Sequence, residues 1–295
     1  MTRPFDLALT ALAPAIWGSS YIVTTELLPD GSPLTIAMLR ASPAGLLLLL
    51  WTRNLPRGVW ILRSLVLGVL NFSLFWGLMF VAAYALPGGL AATLGAIQPL
   101  IVLFLAKLLL DQSVRPAAVL AGLGGMLGVA LLVVKPGAGF DMVGILAALG
   151  GAVSMACGTV LTRKWQPPVP ALTFTAWQLT AGGLILVPVA LWLEPPLPPL
   201  DAGAVVGLVW LGLIGGAATY FIWFRGIARL GPSTVAPLGL LSPVVATLLG
   251  LALLGEGMTL PQSLGMALVL GSVWVGQMGP TAAPRLPRKG VAPQL

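Results

Sequence analysis

Residues 91–99 read Ala91-Ala92-Thr93-Leu94-Gly95-Ala96-Ile97-Gln98-Pro99, and 144 positions later the chain reads Val235-Ala236-Pro237-Leu238-Gly239-Leu240-Leu241-Ser242-Pro243. At that one offset Leu94 meets Leu238, Gly95 meets Gly239 and Pro99 meets Pro243, and upstream Phe80 meets Phe224 and Leu86 meets Leu230. Shared apolar composition scatters chance identities. A register held through two apolar stretches and the turn between them is the mark of an internal duplication. A second pair of stretches also aligns once one residue is gapped, Pro33 and Thr35 to Leu46 with Pro170 and Thr173 to Leu184.

The wider composition says where such a duplication lives. Of 295 residues 58% are hydrophobic and 8% charged, against about 25% charged in a soluble domain, and mean hydropathy is +1.01. Fifteen basic and eight acidic side chains cannot cover a water-facing surface of this length, so the chain must meet lipid. Stretches of roughly 20 apolar residues cross a bilayer core. Ten of them occur, at about 7–27, 34–52, 60–84, 87–108, 116–134, 143–162, 171–192, 203–224, 232–253 and 261–279. Proline, glycine and charge punctuate them, as in Leu28-Pro29-Asp30-Gly31 and Gln166-Pro167-Pro168. Arg3 and the small residues around Ala11-Leu12-Ala13 resemble a secretory signal, but the apolar run continues to about Leu28, too long for one. The sequence therefore predicts an all-α integral membrane protein with ten transmembrane helices.

Five spans per copy is an odd number, so the second copy enters the bilayer from the side opposite to the first. The predicted organisation is two inverted five-helix repeats, 1–137 and 138–280, around a central cavity, with a disordered basic tail over 281–295. Thirteen of the 15 basic residues fall on one side, among them Arg53, Arg57, Lys107, Arg115, Arg163, Lys164, Arg225 and Arg229, while Lys135 stands alone on the other. Basic loops stay cytoplasmic, which predicts a multi-pass inner-membrane protein with both termini inside.

Histidine is absent and Cys157 is the one cysteine, which removes zinc sites, disulfides and the common Ser/His and Cys/His nucleophile systems. Nothing calls for a cofactor or a metal. The net charge of +7 is a topology signal, dispersed between apolar runs, and not a nucleic-acid surface. Inverted repeats are how many secondary carriers build two oppositely open states from one sequence.

Ten spans in two copies, the turn Pro87-Gly88-Gly89-Leu90-Ala91-Ala92, the late Pro99 and Pro243, and Leu254-Gly255-Glu256 closing the ninth span resemble the drug/metabolite transporter superfamily, EamA type. The resemblance covers about residues 7–279. Within it the chain is similar to the bacterial aromatic amino acid exporters of the YddG type. It departs at Asp111-Gln112, where the second copy has Gly255-Glu256.

Polar and aromatic side chains inside spans are the informative ones, because unpaired polar groups are costly in hydrocarbon. Trp17, Tyr21 and Thr24 share one helical face, as do Asn71, Phe75 and Met79; the seventh span offers Thr173, Trp177 and Thr180 and the eighth Tyr220 and Trp223. Pro99 and Pro243 are expected to kink their helices and free the carbonyls of Gly95 and Gly239, with Gln98 and Ser242 alongside. The candidate substrate-binding set is thus Trp17, Tyr21, Asn71, Phe75, Met79, Gly95, Gln98, Trp177, Tyr220, Gly239 and Ser242, with Pro99 and Pro243 as hinges. Each of these side chains also suits helix packing. Arg40 lies roughly 9 Å inside the second span. It is a candidate partner for a substrate carboxylate, and equally suited to snorkelling outward or holding helix-end carbonyls; its repeat partner is the neutral Gln178. Trp51, Trp60, Trp165 and Trp192 stand at span ends as interfacial anchors.

Every acidic residue falls at or beyond a span end, leaving no midplane carboxylate for proton coupling and pointing to facilitated diffusion. The expected function is amino acid export, aromatic and other neutral ones included, by alternating access. The alternatives are a drug, nucleoside or other metabolite exporter of the same superfamily, or a membrane-embedded enzyme, against which the missing catalytic groups count.

Overall fold

The computed structural model describes residues 3–29, 32–86, 88–133, 141–255 and 257–278, which are helical nearly throughout with no strand among them. Ten helical units follow one another: α1 (Arg3–Leu27), α2 (Pro33–Thr52), α3 (59–85), α4 (88–110), α5 (Pro116–Val133), α6 (Met142–Lys164), α7 (Ala171–Leu193), α8 (Ala202–Leu230), α9 (Pro232–Leu253) and α10 (Leu260–Gln277). Among the described residues nine of them are long and apolar enough to cross a membrane. The tenth, α10, is diluted by a glutamine near each end and by three glycines. The terminal tail expected over 281–295 lies outside the described residues.

Helix ends are set by side chains that satisfy otherwise orphaned first-turn amides. Asp141 Oδ1 accepts from the Gly144 amide at 2.8 Å, Asp201 Oδ1 from Ala204 at 2.7 Å, and Thr259 with Gln262 forms a reciprocal capping box. The start of α2 is capped from the other half of the molecule. Glu194, just after α7, accepts from the amides of Leu34 (2.6 Å) and Thr35 (2.7 Å) and from the Thr35 hydroxyl (2.8 Å).

Two long-range pairings show how the halves meet. At the α2–α7 contact a methyl group on Gly45 would sit 2.5 Å from the Thr180 amide nitrogen, and one on Gly183 would sit 2.7 Å from that of Ser42. At the α5–α10 contact Gly128 lies against the Gly265 carbonyl and Val269, while Gly265 lies against the Gly128 carbonyl and Leu132. At α2–α7 the second contact is the first with the halves exchanged. The neighbours obey the same rule: α1 packs on α8 and α9, and α6 on α3 and α4. A pseudo-two-fold axis relates the halves. The contact face of α10 is built by Gly265 and Ser272, whereas Ala267 and Gly271 line an open apolar groove with Leu120, Leu131 and Leu264.

Two irregularities recur at matching places. The third unit of each half contains a π-helical segment, Val69–Ser73 in α3 and Trp210–Ala218 in α8. The fourth is broken, in α4 between Gly88–Gly95 and Gln98–Leu110, and in α9 by a 3-10 segment, Ala236–Leu240. The expected kinks at Pro99 and Pro243 are therefore corrected to breaks that precede them. Pro99 is in the first turn of Gln98–Leu110 and Pro243 in the first turn of Leu241–Leu253, where a missing N–H is free of cost because first-turn amides have no partner inside the helix.

One end of the bundle is basic, with Arg57, Lys107, Arg115, Lys164 and Arg229, and the other carries Glu26, Asp141, Glu194 and Asp201. At the basic end Asp6, 4% exposed, joins Arg225 (2.9 Å) and Arg229 (2.8 Å) across α1 and α8. Arg163 of α6 donates there to the Ala228 carbonyl, and Ser233 to Gln112 at 2.7 Å. The contacts of Asp6 and of Ser233 with Gln112 tie the two halves together. Trp51 and Trp192 are 81% and 86% exposed at the ends of α2 and α7, while Trp60 and Trp165 flank the Arg63 guanidinium at 4.8 and 5.6 Å.

Candidate functional site

A cluster of rings occupies the middle of the bundle where α1, α3 and α8 meet. The Trp17 ring lies 4.9 Å from Tyr220 and 5.1 Å from Trp223, Phe72 lies 4.6 Å from Tyr220 and 5.4 Å from Trp76, and Phe224 closes on Tyr220 at 5.7 Å. Centroid separations of this size in tilted and edge-on arrangements are the favourable ones for aromatic pairs. Phe72, Trp76, Tyr220, Trp223 and Phe224 are buried, and Trp17 is half-buried.

The cluster is bounded on one side by a π-helical carbonyl that three helices share. Gly215 O accepts from Trp17 Nε1 at 3.1 Å, from Arg40 Nη2 at 2.8 Å and from Thr219 Oγ1 at 2.7 Å. Trp17 Nε1 also reaches Thr219 Oγ1 at 2.8 Å. The Arg40 guanidinium stands 5.1 Å over the Trp76 ring, a cation–π distance. Its Nε finds no hydrogen-bond partner, nor does the Ser20 hydroxyl nearby. Of the three roles considered for Arg40, the structure shows a hydrogen bond to a backbone carbonyl, and Nε keeps donor capacity to spare.

The counterpart on the far side is neutral. Asn71 Nδ2, in the other π-helical segment, donates to Gln178 Oε1 at 2.9 Å and Thr162 Oγ1 at 3.2 Å. Asn71 and Gln178 are fully buried, and Asn71 packs directly on Gly158.

The expected site residues divide accordingly. Trp17 and Tyr220 belong to the central cluster and Phe75 packs against it, while Met79 is 37% exposed further along α3. Gly95 faces open space beside the break in α4, a methyl group on Gly239 would meet only Trp223, at 3.9 Å, and Gln98 Nε2 is buried without a partner. Ser242 turns its carbonyl to Gly18 of α1. The Tyr21 side chain lies outside the described residues. Trp177 does not join this group: it packs with Trp60, Phe174 and Leu67 and donates to the Asn54 carbonyl at 2.5 Å, next to the basic end. Almost every residue along this stretch of α7 is buried, so spacing alone could not single out the face that looks inward.

Sequence spacing missed Phe72, Trp76, Ser20, Thr219 and Gly215. For the first two the cause is the π-helical turn, which inserts a residue into the 3.6-residue period and carries the inward face from Asn71 and Phe75 on to Phe72 and Trp76. The Gly215-Gly216 pair inside an apolar run was the available signal for an irregular segment.

A family model described as EamA-like transporter matches the chain twice, over residues 5–134 and 142–275. The protein PecM of Dickeya dadantii is 41% identical over 267 residues, 90% of each chain. A probable amino-acid metabolite efflux pump of Salmonella typhimurium is 27% identical over 293 residues, covering 93% of this chain and 95% of that one. A solved crystal structure superposes with a TM-score of 0.81 at 21% identity, over 98% of this chain and 100% of the other.

Proposed function

The chain belongs to the EamA-like transporter family, a multi-pass membrane transporter of small molecules, and on that premise we propose that it exports neutral amino acids, aromatic ones among them, from the cytoplasm. The observation that carries this reading is the ring cluster of Trp17, Trp76 and Tyr220 beside Arg40, an apolar and aromatic surface next to a polar handle. The relative from Salmonella typhimurium, named for amino-acid metabolite efflux, lends the substrate class support.

Transport proceeds by alternating access between the two inverted halves, with the breaks before Pro99 and Pro243 as hinges. Both termini and the basic end face the cytoplasm, in keeping with retention of basic loops inside. Asp6 is the one acid buried inside a helix among the described residues, and it is engaged by two arginines at the bundle end. We therefore assign facilitated diffusion down the substrate gradient.

Purified protein in proteoliposomes should exchange external radiolabelled phenylalanine for internal unlabelled phenylalanine without an imposed proton gradient. Trp17→Ala should slow that exchange by about tenfold, equivalent to roughly 1.4 kcal/mol of lost ring contact and hydrogen bonding. No exchange of any aromatic or aliphatic neutral amino acid by the wild type would overturn the reading.

A further inference from the structure

Donors crowd the Gly215 carbonyl. A carbonyl oxygen has two lone pairs, and Gly215 O is addressed by three donors, from Trp17, Arg40 and Thr219. Arg40 Nε and Ser20 Oγ lie beside them, buried and without hydrogen-bond partners. Among the described residues no carboxylate pairs with Arg40, since both ion pairs involve Asp6 at the basic end. A cation at membrane depth with surplus donors is expensive to retain and is the ordinary sign of a functional site.

The groups around Arg40 narrow the ligand. A methyl group on Gly215 would touch Arg40 Nη2 at 3.4 Å, the Trp210 carbonyl oxygen at 3.7 Å and Ser20 Oγ at 3.9 Å, so a side chain there would stand against both donors. Directly beneath the guanidinium is the flat face of Trp76, and the rings of Tyr220 and Trp17 continue from it. An anionic head at Arg40 would thus have an aromatic surface for its tail. The described acids that could receive an ammonium group lie elsewhere: Asp141 and Asp201 cap helices, Glu194 caps α2, Asp6 is engaged, and Glu26 and Asp111 are exposed at helix ends.

We propose that Arg40, with Ser20 beside the side-chain-free Gly215, binds the carboxylate of the transported molecule, so that the substrate class is flat, apolar-bodied carboxylates in which an amino group is dispensable. This rests on the export reading above only for the existence of a transported substrate. The matching position in the other half, Gln178, is neutral and bonded to Asn71, so the charge is read from one half alone.

Binding to the full chain in nanodiscs, followed by quenching of tryptophan fluorescence, tests this without a transport assay. 3-Phenylpropionate keeps the ring and carboxylate and lacks the amine; phenethylamine keeps the ring and amine and lacks the carboxylate. The wild type is expected to bind 3-phenylpropionate at least about tenfold more tightly than phenethylamine, the scale of a charge-assisted hydrogen bond. Arg40→Gln should abolish that preference and Arg40→Lys should retain part of it. Gly215→Ala, whose added methyl makes only ordinary contacts, should weaken 3-phenylpropionate by about tenfold in a folded protein even if Arg40→Gln does not fold. Equal affinity for the two ligands, no binding of 3-phenylpropionate, or an unchanged preference in Arg40→Gln or Gly215→Ala would overturn the proposal. A chain that binds 3-phenylpropionate yet exchanges no amino acid would sink the export reading and leave this site standing; phenylalanine exchange without such binding would do the reverse.

Discussion

Arg40 and Gln178 hold the same place in the two halves of the bundle and reach the same kind of target. Each is the eighth residue of its helix, and each meets a π-helical segment of the opposite half, Gly215 for Arg40 and Asn71 for Gln178. The geometry is duplicated while the chemistry has diverged, a cation on a carbonyl against an amide on an amide. Removing the neutral contact should cost stability and leave ligand selectivity alone. Gln178→Leu is expected to lower thermal stability in detergent by about 1–3 kcal/mol, because Asn71 loses a buried acceptor, while the ratio of 3-phenylpropionate to phenethylamine affinity stays that of the wild type.

The α2–α7 contact tolerates no added volume. Since a methyl on Gly45 would stand 2.5 Å from the Thr180 amide nitrogen, Gly45→Ala forces backbone apart and should destabilise by about 1–3 kcal/mol, the usual scale of overpacking. Gly77→Ala, which meets nothing within 4 Å, serves as the matched control. Melting curves of the two variants in the same detergent should separate them; equal melting temperatures would mean that α2 and α7 are not so closely apposed.

At the basic end the three members of the ion-pair cluster should not be equivalent. Asp6→Asn strips two arginines of their shared partner and should destabilise most. Arg225→Gln comes next, its side chain being 15% exposed, and Arg229→Gln last, at 43%. Exposed ion pairs contribute little, about 0–1 kcal/mol, and the ranking follows from that. Unfolding of the three single variants, monitored by circular dichroism, checks the order.

Glu194 offers a test of communication between halves at the opposite end. Glu194→Ala should expose the first-turn amides of α2 to solvent exchange and cost about 1–2 kcal/mol, as loss of a good cap does, while Glu194→Gln retains part of the effect. Hydrogen exchange of the peptide beginning at Leu34 gives the readout, and unchanged protection in Glu194→Ala would count against the cap.

Orientation is open to chemical labelling. In a Cys157→Ala background, Arg57→Cys should be protected from a membrane-impermeant maleimide in intact cells and Glu26→Cys should react. The opposite pattern would invert the proposed topology.

The ten helical units were legible in the sequence because burial in lipid leaves a coarse signal, about 20 apolar residues at a time, and the repeat because Gly95, Pro99 and their partners kept one register. Arg40 was also visible as the one basic residue well inside a span. What eluded reading was local backbone geometry. A π-helical turn cannot be told from an α-helical one by composition, yet in α3 it decides that Phe72 and Trp76, and not Asn71, carry the ring cluster. Trp177 shows the complementary failure. Its spacing suited a lining role, but residues 173–183 of α7 are all buried, so periodicity carries no direction there.

The reciprocal fit of Gly128 and Gly265 bears on how the molecule can be put together. Each half presents the very surface its counterpart lacks, so mutual recognition does not depend on their being translated in tandem. Two separately encoded fragments, divided within 134–140 and co-produced in one cell, should find each other in the bilayer and copurify, and bulky residues at both glycines should abolish that reunion.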